Sequence, residues 1–123
     1  MGSAPPVAQQ REVWYVDLDP IRGHEQAGHR PAVVISVDAF SAGLSELAIV
    51  VPLTTTDFGN PLHVPVVPPE AGLRSPSWAM PEMVRSISRE RLVQRWGTAR
   101  PATLERIVAR VRLLTRVPDA TSN

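Results

Sequence analysis

The chain has 123 residues, 43% of them hydrophobic, and a formal charge of +1. That is enough chain for one domain with an ordinary apolar share, and no apolar run is long enough to cross a bilayer. Cysteine is absent, which removes disulfides, thiolate metal sites and cysteine nucleophiles and fits a reducing, cytoplasmic setting. All 13 basic residues are arginine, so no lysine serves as a base or Schiff-base former.

The near-neutral total hides an asymmetry. Most arginines fall between Arg74 and Arg112, where the only acids are Glu82, Glu90 and Glu105. Arginine stays charged and grips phosphate through two parallel hydrogen bonds, so a basic C-terminal half points to a polyanion partner. The plainer alternative is that these arginines solvate a helix and strand edges.

Residues 1–10 are small and proline-rich, with no basic region leading into an apolar stretch. They read as a loose tail and not as a secretory signal. Val13 to Leu18 alternates, with Trp14, Val16 and Leu18 on one face, which predicts a strand ended by Pro20. Ile21 to Arg30 has two glycines, two histidines and no apolar period, so it reads as a loop. The β-branched run Ala32 to Val37 predicts a buried strand. Ser41 to Ser45 reads as a turn around Gly43. Leu47 to Val51 predicts another buried strand, stopped by Pro52, with Thr54, Thr55 and Thr56 at its end.

Turn chemistry follows from Asp57 to Pro61. Leu62 to Val67 alternates, but Pro65 confines it to a sheet edge. After a proline-punctuated loop, Pro68 to Pro76, short strands are expected at Trp78 to Met80, Met83 to Ile87 and Leu92 to Gly97. The period then changes. Pro101 suits a first helical position, and Leu104, Ile107, Val108, Val111 and Leu114 share one helical face before Pro118 stops it. The pattern predicts one domain over 11–117 and a second tail over 118–123. Its fold class is mainly β with a C-terminal helix: a small bent antiparallel sheet or barrel closed by that helix.

The loop and the strand after it read His24-Glu25-Gln26-Ala27-Gly28-His29-Arg30-Pro31 followed by Ala32-Val33-Val34-Ile35-Ser36. This resembles the hallmark of the MazF/PemK (Kid) toxins: an acid, Gln, a small residue, Gly, any residue, then Arg-Pro and an apolar strand. Three more blocks resemble the family in the same order, across roughly Glu12 to Leu114. They are Val13-Trp14-Tyr15-Val16-Asp17-Leu18, Val50-Val51-Pro52-Leu53-Thr54-Thr55, and Val84-Arg85-Ser86-Ile87-Ser88-Arg89-Glu90-Arg91-Leu92.

The resemblance implies an SH3-like barrel with a C-terminal helix, of the MazF/Kid/CcdB toxin type, acting as a homodimer with RNA across the interface. It implies ribosome-independent, metal-independent cleavage of single-stranded RNA at a short sequence, leaving 2′,3′-cyclic phosphate and 5′-hydroxyl ends. It also implies a cognate antitoxin whose extended acidic C-terminal segment occupies the RNA groove. Arg30 and Thr54 match the family's catalytic arginine and threonine. Glu25 and Gln26 match loop positions that touch substrate or catalysis in some members. One position departs: Met83 stands where many members have Gln.

The chemistry agrees. RNA cleaves itself when its 2′-hydroxyl attacks the adjacent phosphorus; an enzyme must orient the attack, move two protons and stabilise charge on phosphate oxygens. No cofactor is required. Arg30 is a fixed cation stiffened by Pro31, and the Thr54 hydroxyl is a donor. Arginine is a poor base, so Glu25, His24 and His29 are the easier proton carriers, although Glu25 is equally suited to pairing with Arg30. His24 and His29 in a loop do not fix a metal geometry. For binding RNA, Gln26, His29, Thr55, Arg85 and Ser86 are the candidates, with Trp14, Trp78 and Trp96 as stacking surfaces. The alternative that keeps the fold is a non-enzymatic, CcdB-like toxin that binds DNA gyrase; the Glu25 to Pro31 loop with Thr54 belongs to the nuclease branch.

Overall fold

Seven strands and two helices follow one another in the computed structural model, which describes residues 4–19 and 28–119. The strands are β1 (Glu12–Asp17), β2 (His29–Val34), β3 (Leu47–Thr54), β4 (Val64–Val66), β5 (Ser77–Ala79), β6 (Arg85–Ser88) and β7 (Leu92–Thr98). A one-turn helix, α1 (Asp38–Ser41), separates β2 from β3, and α2 (Pro101–Leu114) follows β7.

Among the described residues all pairings are antiparallel, in the spatial order β4-β5-β3-β2-β1-β7, with β6 also on β3. The expected mainly-β fold with a C-terminal helix is present, but the sheet is open and not a closed barrel. Among the described residues β4 and β7, at its two ends, do not pair with each other. The reason lies in the edge. β4 is three residues long, and its central Pro65 has no N–H to offer a further strand.

Pro52 does not stop its strand as the sequence suggested. β3 runs on to Thr54 and changes partner at the proline: Leu47 to Val50 pair with β6, and Leu53 and Thr54 pair with β5. A residue without an N–H is tolerated in mid-sheet where the strand switches neighbours, and the Pro52 carbonyl still accepts from Met80 N at 2.9 Å. β2 also starts earlier than expected, at His29, because pairing with β1 begins at Asp17 opposite His29. It ends earlier because Val37 turns the chain into α1, its carbonyl accepting from the Phe40 and Ser41 amides.

Alternation sends apolar residues to both faces of the sheet. Val13, Val33, Val51, Leu53, Val64 and Val66 form one core with Ile107, while Trp14, Val16, Leu18, Ala32, Val34, Val50, Ile87 and Leu92 form the other. Each Val, Leu or Ile side chain among them contributes roughly 1.5–3 kcal/mol when fully buried. α2 covers the first core through Ile107 and Val111. Pro101 occupies its first turn, as expected. Arg100 gives it no side-chain cap, and Glu70 serves instead, accepting from Arg100 N at 2.9 Å and from the Thr103 hydroxyl at 2.6 Å.

Candidate active site

The β1–β2 connection is tied at its base. Leu18 N donates to the Gly28 carbonyl at 3.0 Å, and Gly28 N donates to the Asp19 carboxylate at 2.9 Å. The Arg91 guanidinium reaches across from the turn just before β7 to the carbonyls of Asp17, at 3.1 Å, and Asp19. Gly28 holds φ +68°, a conformation that favours glycine. His24, Glu25 and Gln26 lie outside the described residues.

Two residues beyond Gly28 comes Arg30, half-buried and opposite Val16 of β1. On its other side β2 pairs with β3 as Ala32 with Pro52, Val33 with Val51 and Val34 with Val50. Continuing that register by two residues sets Arg30 level with Thr54. By alternation both belong to the face of Ala32, Val34 and Val50. Thr54 is buried, and its hydroxyl oxygen accepts from Thr56 N at 3.1 Å. That bond uses an oxygen lone pair and leaves the hydroxyl proton free to donate. Thr55, the next residue, is exposed.

The remaining candidates are more spread out. Arg85 pairs with Val50, four residues back along β3 from Thr54, which is about 13 Å at ~3.3 Å per residue. It shares the face of Arg30 and Thr54, whereas Ser86, opposite Ile49, points to the other. His29 also takes the other face, where its ring stacks on Tyr15 at 5.6 Å. Trp14 is buried, its indole N–H donating to Glu12 at 3.0 Å, and Trp78 is half-buried in β5. Met83 sits half-buried in the turn Pro81–Met83 before β6. His63 is buried and bonded to Glu82 at 2.6 Å.

Sequence reasoning missed a cleft of about 520 Å³ lined by Pro31, Thr55, Gly72 to Ser75, Ser77, Gln94, Arg95 and Trp96. Trp96 stacks on Tyr15 nearly parallel, with ring centroids 5.4 Å apart. The β1–β7 register explains how it gets there. Val13 pairs with Gly97 and Trp14 with Arg95, so Trp96 is the extra residue of a bulge, free to turn its ring. Arg95 is fixed by Glu12 at 2.6 Å and by the Thr98 hydroxyl at 2.9 Å. The available signal was Tyr15 on the exposed parity of β1; the bulge that brings Trp96 to it leaves no mark in the sequence.

Comparison with known proteins bears on this arrangement. Residues 9–115 match the model of the PemK-like, MazF-like toxins of type II toxin–antitoxin systems. The chain is 35% identical over 109 residues to the endoribonuclease toxin MazF of Escherichia coli K12, covering 88% of this chain and 94% of that one. The crystal structure of MazF from Deinococcus radiodurans superposes with a TM-score of 0.81 at 25% identity, over 91% of this chain and 99% of that one. A mycobacterial endoribonuclease in complex with its cognate antitoxin shares the fold, with a TM-score of 0.69 at 19% identity over 92% and 97% of the two chains. A curated relative named as a nuclease disfavours the gyrase-binding alternative.

Proposed function

The chain belongs to the PemK/MazF family of type II toxin–antitoxin toxins and is an endoribonuclease, and from that premise we propose that it cuts single-stranded RNA at a short sequence, without a ribosome or a metal ion, at a site built on Arg30 and Thr54. The observation that supports the reading is the β2–β3 pairing of Ala32 with Pro52; continued by two residues, that register would set Arg30 level with Thr54.

The substrate's 2′-oxygen attacks the adjacent phosphorus while the bond to the 5′-oxygen breaks. The 2′-proton leaves to a base and a proton arrives on the 5′-oxygen, giving a 2′,3′-cyclic phosphate and a 5′-hydroxyl. Arg30 stabilises the charge that develops on the phosphate oxygens, and the Thr54 hydroxyl donates to one of them. Glu25 is the proposed proton carrier, since the His29 ring is taken up by Tyr15 on the opposite face. Gln26, Thr55, Arg85 and Ser86 are proposed contacts to the strand. The working form is a homodimer in the cytoplasm, opposed by an antitoxin with an extended acidic C-terminal segment. No helix among the described residues is long and apolar enough to cross a membrane.

The test is to incubate the purified protein with mixed-sequence single-stranded RNA in excess EDTA and map the fragment ends. Discrete cuts with 5′-hydroxyl ends are expected. Intact RNA would return the weight to a binding toxin of the same fold. Arg30→Ala should cut at least about 100-fold more slowly while RNA binding is mostly retained, as expected for loss of a donor to the developing charge.

A further inference from the structure

We propose that the cleft between β7 and the 70–77 segment is a nucleotide subsite, holding the base and phosphate of a residue next to the scissile step. The proposal rests on the nuclease reading above and assigns a specificity role to Arg74, Gln94 and Trp96.

The argument starts from how the cleft is built. Gly72 and Gly97 let two backbones touch: a Cβ on Gly72 would lie 2.2 Å from the Trp96 carbonyl oxygen, and one on Gly97 2.6 Å from the Ala71 carbonyl carbon. This contact sets the 70–77 segment against β7 and fixes one wall. The bulge at Trp96 supplies the aromatic surface, backed by the parallel ring of Tyr15. The cleft is therefore a shaped recess between fixed elements, and its volume of about 520 Å³ falls within the usual range for small-molecule sites.

Its chemistry matches a nucleotide. An aromatic face takes any base by stacking. The exposed side chains of Gln94 and Arg74 line the cleft and make no hydrogen bond or ion pair among the described residues. The Gln94 amide offers a donor and an acceptor, as reading a base edge requires. Arg74 offers a charge for phosphate, whereas the charge of Arg95 is already paired with Glu12. The Ser75 and Ser77 side chains add small polar groups, although the Ser77 hydroxyl is engaged by the Ser75 carbonyl at 3.0 Å.

Position makes the assignment local to the reaction. Two lining residues, Pro31 and Thr55, are the chain neighbours of Arg30 and Thr54. Alternation turns Pro31 away from the face of Arg30, so the cleft opens on the far side of the strand ends. A strand with its phosphate at Arg30 and Thr54 would bring the next nucleotide, not the reacting one, to this recess.

The test uses the full chain with Arg74→Ala and Gln94→Ala, both at exposed positions outside the proposed catalytic group. Binding is read with a mixed-sequence, all-deoxy single-stranded pool that cannot undergo 2′-attack, across a salt series. Cleavage is read on mixed-sequence RNA with end mapping, and on a substrate trimmed to the scissile step. Arg74→Ala should weaken the pool about tenfold and lower the salt slope by roughly 0.7, the value of one single-strand phosphate contact. Gln94→Ala should relax the base tolerated at one position flanking the cut, raising KM on long RNA with kcat kept and leaving the trimmed substrate unaffected. Wild-type affinity, slope and cut sites in both variants would overturn the subsite. If the wild type leaves RNA whole while Arg74→Ala still weakens the pool, the nuclease reading falls and the cleft stands.

Discussion

At the scale of single residues, the proposed mechanism gives Thr54 two roles in one oxygen. It accepts from Thr56 N, which holds the turn after β3, and its proton remains available for a phosphate oxygen. Thr54→Val keeps the shape and removes both. Cleavage should fall by about 100-fold, the usual effect of losing one donor to a developing charge, with a stability cost near 1 kcal/mol for the turn bond. Thr54→Ser should restore most of the rate. A valine variant that cuts at the wild-type rate would remove Thr54 from the chemistry. Glu12 is the second residue whose surroundings specify an outcome. It is buried at the start of β1 and accepts from Gln9 N at 2.7 Å, Trp14 Nε1 at 3.0 Å and Arg95 Nε at 2.6 Å. Glu12→Gln keeps one acceptor and loses the charge opposite Arg95. Because the Arg95 side chain is half exposed, solvent screens the pair, and the expected loss is about 1–2 kcal/mol, read as a lower urea midpoint at unchanged slope.

At the scale of elements, the contact of the 70–77 segment with β7 gives the sharpest expectation. Adding a Cβ at Gly97 puts it 2.6 Å from the Ala71 carbonyl carbon and 2.8 Å from Gly72 N, both backbone atoms that cannot swing aside. Gly97→Ala should therefore cost about 2–3 kcal/mol, as overpacking does, and lower the melting temperature of the whole chain. A melting curve matching the wild type would mean that the two segments are not in register as described. The same contact shows where sequence reading stops. Strands announced themselves wherever alternation met β-branched residues, as in Val13 to Leu18, and α2 announced itself through Pro101 and the stripe of Leu104, Ile107 and Val111. The proposed pairing of Arg30 with Thr54 rests on resemblance, because its geometry depends on the β2–β3 register, which no local pattern encodes. Pro52 misled because a proline reads as a stop unless its strand is known to change partners there. The pattern allowed both a bent sheet and a barrel, and the short β4 edge with Pro65 leaves the sheet open. Trp96 against Tyr15 depends on a bulge between elements far apart in the chain, and a bulge costs the sequence nothing visible.

At the scale of the whole molecule, the charge distribution carries the argument. The total of +1 would give little reason to expect a polyanion, yet the positive charge is carried only by arginine and gathers in the second half of the chain. Parts of that set are already neutralised: Arg95 by Glu12, and Arg89 by Glu46 at 3.5 Å. Arg91 is committed to the Asp17 and Asp19 carbonyls, where it braces the base of the β1–β2 connection. Arg74 is left without a partner among the described residues, on the wall of a cleft beside Thr55 and Pro31. RNA and an acidic antitoxin segment would both be drawn to that surface, so they should compete for it. The competition is measurable by titrating the protein, bound to a labelled all-deoxy strand that cannot undergo 2′-attack, with an acidic peptide standing in for the proposed antitoxin segment. Displacement at one segment per site is expected, and the segment's affinity should fall steadily as salt rises past physiological strength, where the screening length is already about 8 Å. Apolar burial would resist salt, so an affinity that stays flat across the series would assign the antitoxin to the exposed apolar residues of β7 and the end of α2, Val93, Leu113 and Leu114, and not to the arginines.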